Sequence, residues 1–174
     1  MIIVHDFGYG LKEYASRGKM NEFPLFEKCL NCHAFGQMHR HGFYFRYAIT
    51  KEESNRIPIC RLKCLACKKT FSILPDFLIP YFQHTTLTIL ERLQQFLVEK
   101  KTSGSRQLLA FHLRRYLKGL KWVHSFFINL GNVWGFSNNI KNEAVTYIKR
   151  ILDLGETQFF RRSWGYLSSY FMAK

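Results

Sequence analysis

Hydrophobic and polar residues follow two different periods along the chain, and the change falls near residue 80. Residues 42–49 are rich in aromatic and β-branched side chains, and residues 56–64 alternate between apolar and polar positions. Both patterns are typical of strands. The polar segment 51–55 between them indicates a turn, and residues 71–74 are a candidate third strand. These segments predict short antiparallel strands.

A pair of prolines marks the predicted end of the β-rich part. Pro75 and Pro80 stand close together, a spacing that neither a helix interior nor a central strand accommodates easily. We therefore predict three segments: a lead-in at residues 1–28 without a sustained period, a β-rich domain at 29–81 and a helical domain at 82–174.

Beyond residue 82 the apolar residues recur at helical spacing. A first helix is predicted from an N-cap at Thr85 or Thr86 to about residue 100. Its predicted apolar stripe consists of four leucines: Leu87, Leu90, Leu93 and Leu97.

Three further helices are predicted in the rest of the chain. Residues 106–118 form the first of them, and Gly119 is predicted to end it. Residues 121–130 and 139–154 are predicted as the other two. The aromatic and basic segment 159–172 fits no single element.

The composition shows a large excess of basic residues. The 174 residues contain 26 lysines and arginines against 12 aspartates and glutamates, a net charge of +14. Such an excess favours a polyanionic partner: DNA, RNA or an anionic membrane surface. The chain starts without a secretory signal, and no apolar run is long enough to span a bilayer. Because five cysteines are an odd number, we predict a cytoplasmic protein, nucleoid-associated if it binds DNA, without a membrane partner.

Four of the five cysteines form two Cys-x-x-Cys pairs, Cys29/Cys32 and Cys64/Cys67. The two-residue spacing allows a tight turn to direct both sulfurs at one ion, and two such turns complete the tetrahedral four-sulfur site that Zn²⁺ favours. A closed site of this kind leaves no position for a reacting water, so one structural zinc ion is predicted. Iron could occupy the same ligands. The fifth cysteine, Cys60, is predicted to be a packed free thiol.

An ordered series of short motifs surrounds these cysteines. The motifs are Cys29-x-x-Cys32, Arg40-His41-Gly42-x-Tyr44-x-Arg46-Tyr47, Ile57-Pro58-Ile59, Arg61-Leu62-Lys63-Cys64-x-x-Cys67-x-x-Thr70-Phe71 and Leu74-Pro75-x-Phe77-Leu78-x-Pro80-Tyr81. Together they resemble the zinc-ribbon segment of transposase-like bacterial proteins, a group that includes standalone domains without a characterised role.

The resemblance implies DNA binding connected with mobile elements, zinc ligation by the four cysteines and a helix-turn-helix in the helical region. Such knuckles often have glycine after the second cysteine, where a positive φ is easily adopted. His33 and Lys68 occupy those positions here, so a less regular knuckle geometry is expected.

Two groups of cations are the candidate DNA contacts. In and just beyond the predicted helix 106–118, Arg114, Lys118 and Lys121 recur at i, i+4 and i+7 and therefore share one face. Cationic side chains on such a helix suit the phosphates along a duplex groove. The full set adds two neighbouring arginines and five cations of the ribbon: Arg106, Arg115, Arg46, Arg61, Lys63, Lys68 and Lys69.

We therefore expect an α+β protein in which an N-terminal zinc ribbon of short antiparallel strands precedes an all-helical region with helix-turn-helix character. The expected function is non-catalytic binding of double-stranded DNA by a transposase-like or transposon-derived protein, with a transposase or another protein as candidate partner. The helical region offers no strand-borne carboxylate triad of the kind a two-metal nuclease needs. The alternative is a zinc-stabilised adaptor that binds a protein through the aromatic C-terminal segment and binds no nucleic acid.

Overall fold

The computed structural model describes residues 1–102, 104–132 and 135–173. Contacts within the chain divide it into two units, residues 1–83 and 84–174. The first unit contains all four strands and one helix, and the second contains the remaining helices.

The first unit is built on a four-stranded sheet. Its strands are β1 (Ile2–His5), β2 (Met38–Ile49), β3 (Ser54–Cys64) and β4 (Thr70–Pro75). Their order in the sheet is β1-β4-β3-β2. β3 pairs antiparallel with β2 and β4, whereas β1 pairs parallel with β4. The three predicted strands are present, but they lie well inside the chain, and the sheet gains an edge strand from the segment before them.

The hairpin of β2 and β3 is the longest pairing in the sheet. At its turn, the hydroxyl oxygen of Thr50 accepts hydrogen bonds from the backbone N–H groups of Glu52 at 3.2 Å and Glu53 at 3.0 Å. A bulge between Arg40 and Gly42 shifts the register. Gly42 has a φ of 136° there, in a region that favours glycine.

Residues 1–28 contribute structure that the sequence prediction of a lead-in missed. Besides β1 they contain α1 (Leu11–Arg17), followed by a 3-10 turn at Gly18–Met20. The buried Tyr14 donates its hydroxyl to the carbonyl oxygen of Pro58 at 2.8 Å. Burial raises the pKa of Tyr14, so the hydroxyl stays protonated and able to donate. Because β1 is four residues long and α1 buries Tyr14 alone, neither element produces a readable period.

The core of the first unit draws on β3, β4, α1 and the segments beside them. Cys60 is fully buried in it as a free thiol, as predicted, and burial raises the pKa of that thiol. The other members include two of the paired cysteines and mostly large apolar side chains: Tyr14, Phe23, Cys29, Ala48, Ile57, Ile59, Leu62, Cys64, Phe71, Ile73, Leu74 and Leu78.

The described residues of the second unit form helices and their connections, with no strand among them. Its helices are α2 (Thr86–Leu97), α3 (Arg106–Asn129), α4 (Ile140–Leu154) and α5 (Glu156–Ser163), with a 3-10 turn at Tyr166–Ser168. Within the part of the chain that is described, no helix is both long and apolar enough to cross a bilayer.

Helix α2 begins where its capping residue predicts. The Thr85 hydroxyl oxygen accepts the backbone N–H of Thr88 at 3.3 Å, as an N-cap should. Three of the four leucines of the predicted stripe are buried, but Leu87 is 43% exposed and Ile89 is buried instead. The buried face is therefore rotated from the predicted one.

The longest helix contradicts two predictions. Helix α3 runs through Gly119, so Gly119 does not end a helix and residues 121–130 are not a separate one. A glycine inside a helix costs about 1 kcal/mol relative to alanine. Burying Leu120 and Val123 on one face of the continued helix stabilises it by about 1.5–3 kcal/mol each. The free energy gained by burying these two side chains exceeds the cost of the glycine, so the helix continues.

The described residues do not show a helix-turn-helix. Residues 98–105 join α2 to α3, a connection longer than the roughly three- or four-residue turn of that motif. The predicted helix at 139–154 corresponds closely to α4, whose N-cap Asn139 accepts the backbone N–H groups of Lys141 and Asn142.

The aromatic C-terminal segment forms α5 and the turns after it, and its rings pack inward. Phe159, Phe160 and Phe171 are at most 6% exposed. The Trp122 indole N–H donates to the carbonyl oxygen of Tyr166 at 3.2 Å. The three phenylalanine rings form core packing, whereas Trp164, Tyr166 and Tyr170 of the same segment are half-buried.

Replacing Tyr14 with phenylalanine is expected to destabilise the first unit by about 1–3 kcal/mol, because the buried carbonyl of Pro58 loses its donor. Chemical denaturation followed by circular dichroism measures the change. Tyr47→Phe is the matched control, since Tyr47 is 48% exposed. Equal midpoints for Tyr14→Phe and the control would contradict the expected contribution.

Candidate metal centre

Four cysteine sulfurs converge at one point in the first unit. The Sγ atoms of Cys29, Cys32, Cys64 and Cys67 all lie within 4.8 Å of one another. The Sγ–Sγ distance is 3.7 Å between Cys29 and Cys67 and 3.8 Å between Cys32 and Cys64. Ligands about 2.3 Å from a tetrahedral ion have edges of about 3.8 Å. The four cysteines are therefore positioned to bind one metal ion, with the convergence that the sequence predicts.

The two knuckles share one backbone pattern. In the first, the N–H of Cys29 donates to the carbonyl of Ala34 at 3.0 Å, and the N–H of His33 donates to the carbonyl of Cys29 at 2.9 Å. In the second, the N–H of Cys64 donates to the carbonyl of Lys69 at 3.0 Å. In both knuckles the first cysteine bonds to the carbonyl five positions later, which closes the turn around the sulfurs.

Both knuckles place a left-handed residue directly after their second cysteine. The φ angle is 59° at His33 and 60° at Lys68. A residue with a Cβ adopts this conformation at a small cost, which the turn hydrogen bonds offset. The expectation of a less regular geometry without glycine is therefore wrong, because the two turns match.

The hairpin brings the knuckles together. Cys64 is the last residue of β3, and the next backbone N–H, that of Leu65, donates to the carbonyl of Gln37 at 2.9 Å. Gln37 directly precedes β2. An isolated bridge between Lys28 and Phe35 closes the base of the first knuckle. This hydrogen bond ties the second knuckle to the start of β2, the strand that follows the first knuckle in the chain.

The site lies between core and solvent. Cys29 and Cys64 are fully buried, whereas Cys32 is exposed. Four thiolates around a divalent ion carry a formal charge of two minus four, or −2, which nearby cations offset. Four lysines lie beside the ligands in sequence: Lys28, Lys63, Lys68 and Lys69.

The surroundings favour the thiolate form at Cys29 and oppose it at Cys32. Burial alone would raise the pKa of Cys29, but the backbone N–H groups of Cys32 and Asn31 bring it down to about 6. At Cys32 the N–H of Ala34 lowers the pKa, yet burial and the other three sulfurs outweigh it and raise the pKa to about 11. A cation bound among the sulfurs would favour the thiolate form at all four positions.

Arg46 makes a structural contact. It is half-buried, its guanidinium donates to the carbonyl of Phe82, and burial lowers its pKa. The other ribbon candidates are nearer the surface. Arg61 is exposed, with its guanidinium carbon 5.3 Å from the centre of the Tyr44 ring. Lys68 and Lys69 are exposed and Lys63 is half-buried.

The candidate cations of the second unit all lie on α3. Arg114, Lys118 and Lys121 are exposed, on the side opposite the buried Tyr116 and Val123. Arg106 is exposed at the start of the helix. Arg115 is half-buried, with its guanidinium carbon 5.5 Å from the centre of the Phe111 ring. Three of the five predicted cations therefore share one exposed face.

Sequence reasoning identified the places of His33 and Lys68 after each Cys-x-x-Cys but did not expect both residues to adopt the left-handed conformation that glycine usually takes there. It did miss one distinction among the site residues, because it did not separate Arg46 from the exposed cations. Its neighbours Phe45 and Tyr47 are exposed whereas Arg46 is half-buried, and the alternation of a strand was the signal there.

The fold and the cysteine site define a two-unit α+β protein with four cysteines positioned to bind one metal ion. A family model described as Domain of unknown function (DUF6431) matches residues 29–115. This is half of the chain, and the protein belongs to that family. The match begins at the first cysteine ligand and extends into α3. No curated protein and no solved structure matches the chain.

Serine substitution of any one ligand is expected to lower bound metal well below one ion per chain, because the remaining three sulfurs leave the shell open. Cys29→Ser, Cys32→Ser, Cys64→Ser and Cys67→Ser are the test set. Cys60→Ala is the matched control, since Cys60 is buried outside the cluster. Elemental analysis of protein purified without chelator is the measurement. Loss of metal in the control alone, or in none of the variants, would refute the assignment.

Removal of the ion by EDTA is expected to loosen residues 28–36 and 64–69, because their turns then enclose repelling thiolates. Hydrogen exchange followed by mass spectrometry should show faster exchange in these two segments. Helix α2, in the other unit, is the internal control and should keep its protection. Unchanged exchange in both knuckles would show that the metal does not hold them.

Proposed function

We propose that the protein is a zinc-stabilised, non-catalytic DNA-binding protein, transposase-like or derived from a transposon, that acts on the nucleoid in the cytoplasm. The observation that carries the proposal is the composition of α3. Its 24 residues contain no aspartate or glutamate. They contain five cations: Arg106, Arg114, Arg115, Lys118 and Lys121.

Zinc is the proposed occupant of the cysteine site. The sulfur separations suit a metal–sulfur bond of about 2.3 Å. A site with four sulfurs has no open position for a substrate, which supports a structural role. Iron is the competing ion. Zinc protein is colourless and elemental analysis would find zinc, whereas a red protein with visible absorption would contain iron.

The exposed face of α3 suits a duplex. Arg114, Lys118 and Lys121 span seven positions, about 10 Å along the helix axis. Their opposite side is anchored by buried side chains such as Tyr116 and Val123, so the helix presents the cations on a fixed support. A rigid row of cations without acidic neighbours on the same helix attracts phosphates and releases their counterions.

The family match supports a link between the metal centre and this helix. It spans the four ligands and continues to Arg115, so one family model includes both the site and the basic start of α3. We propose that the ribbon stabilises the first unit, and that the cations of α3 bind double-stranded DNA. A transposase or another protein acting on the same DNA is the proposed partner.

Replacing Arg114, Lys118 and Lys121 together with alanine is expected to weaken binding to a labelled 20-base-pair duplex at least tenfold. Each lost phosphate contact should reduce the steepness of the logarithmic salt dependence by about one. Fluorescence anisotropy at 50–200 mM salt is the measurement.

A variant with the same loss of charge is the matched control. Lys141→Ala/Lys149→Ala/Arg162→Ala removes three exposed cations from α4 and α5 and should change duplex affinity far less. Binding by the wild-type protein that does not respond to salt would overturn the proposal, as would equal losses in the two triple variants.

A further inference from the structure

The sheet of the first unit displays two aromatic rings to solvent. Phe45 is 45% exposed and Tyr47 is 48% exposed. They stand at i and i+2 on β2 and so lie on the same face, about 7 Å apart along the strand. Two cations, Lys19 and Arg56, lie next to these rings on the same face. We call the two rings and the two cations together the aromatic strip.

The register fixes how the strip is built. Tyr47 pairs directly with Arg56 on β3, and Phe45 pairs with Pro58. Directly paired residues share a face of the sheet, so Arg56 stands beside both rings. Pro58 is buried and its carbonyl accepts the hydroxyl of Tyr14, which places the strip on a well-packed part of the sheet.

The cations of the strip are free of carboxylates. The guanidinium carbon of Arg56 lies 5.1 Å from the centre of the Phe45 ring, and Lys19 Nζ lies 5.9 Å from it. Among the residues that the structure describes, neither cation forms an ion pair with an acid. A guanidinium stacked on a ring keeps its N–H edge available, and that edge matches a phosphate.

We propose that the aromatic strip binds single-stranded nucleic acid. Flat rings beside cations offer stacking to unpaired bases and charge pairing to the backbone that links them. A duplex does not suit this surface, because its bases are stacked on one another and cannot lie on a protein ring. This goes beyond the proposed function, since the strip belongs to the first unit and the duplex surface to the second.

Charge also limits the site at one end. Beyond Tyr47 an open depression is lined by Glu13, Glu52 and Glu53 together with Lys12, and Glu13 forms an ion pair with Arg17. The two remaining acids, Glu52 and Glu53, repel phosphates, so the bound strand leaves the strip on the side of Lys19. The strip is therefore expected to bind only a few nucleotides.

The test uses the full-length, metal-loaded protein and labelled twelve-nucleotide oligo(dT) and oligo(rU), which separate DNA from RNA. Phe45→Ala/Tyr47→Ala is expected to weaken binding to at least one of them about tenfold or more. Binding to the 20-base-pair duplex should change less than twofold. The aromatic exchange Phe45→Tyr/Tyr47→Phe keeps both rings and should keep the affinity. Circular dichroism and metal content verify that each variant is folded.

A third variant tests whether the position of the exposed rings matters. Tyr81→Ala removes another exposed ring of the same unit, which is 77% exposed, and should leave oligonucleotide binding unchanged. The inference is overturned if the wild type does not bind either oligonucleotide, or if Phe45→Ala/Tyr47→Ala binds as tightly as the wild type. It is also overturned if that variant alters only the oligomeric state in sedimentation, which would make the strip a contact between copies.

Duplex binding by α3 and single-strand binding by the aromatic strip can be disproved independently of each other. Loss of duplex binding in the α3 variant with intact oligonucleotide binding supports the strip on its own. A wild-type protein that binds the duplex and neither oligonucleotide leaves the proposed function standing and removes the strip.

Discussion

Four sulfur atoms held within 4.8 Å of one another are the constraint on which the first unit depends. They come from two turns that are far apart in sequence, so the chain between them must return with a fixed register. The β2–β3 hairpin does this. A slip of one residue would move Cys64 to the opposite face of β3, and the site would lose a ligand. The bulge at Arg40 and Gly42 is part of the register that places Cys64 beside Met38.

The four-cysteine site lies in a unit that also has its own apolar core. A ribbon of the predicted length on its own would bury little apolar surface. The structure adds β1 and α1 to the same unit, and Tyr14 lies in the core formed with β3 and β4. Cys29 and Cys64 belong to both the core and the metal site. A bound ion and the apolar packing would therefore stabilise the same segments.

Strong local patterns explain what could be predicted from the sequence. The paired cysteine spacing, the strand pattern of residues 56–64 and the capping threonine of α2 each depend on neighbouring residues. The structure shows the converged sulfurs, the strand β3 and the cap. The errors occurred where distant packing decided the outcome. Gly119 is a helix terminator by local chemistry, but the buried residues on either side of it continue α3. β1 is a strand only because β4 lies beside it, and four residues alone do not reveal that.

The distribution of acids explains how one basic chain could present two different surfaces to nucleic acid. On α3 the cations stand without any acid on the same helix, and a uniform row of charge attracts a phosphate backbone regardless of the bases. On the sheet the charge is mixed, with Glu52 and Glu53 at the hairpin turn and Arg56 on β3. Mixed charge attracts a phosphate backbone only weakly. Binding at the sheet would therefore depend on contact with the bases, which the exposed rings of Phe45 and Tyr47 can provide. Because paired bases are closed to stacking, the two proposed surfaces would take different forms of nucleic acid: an intact duplex on α3 and an unpaired strand on the sheet.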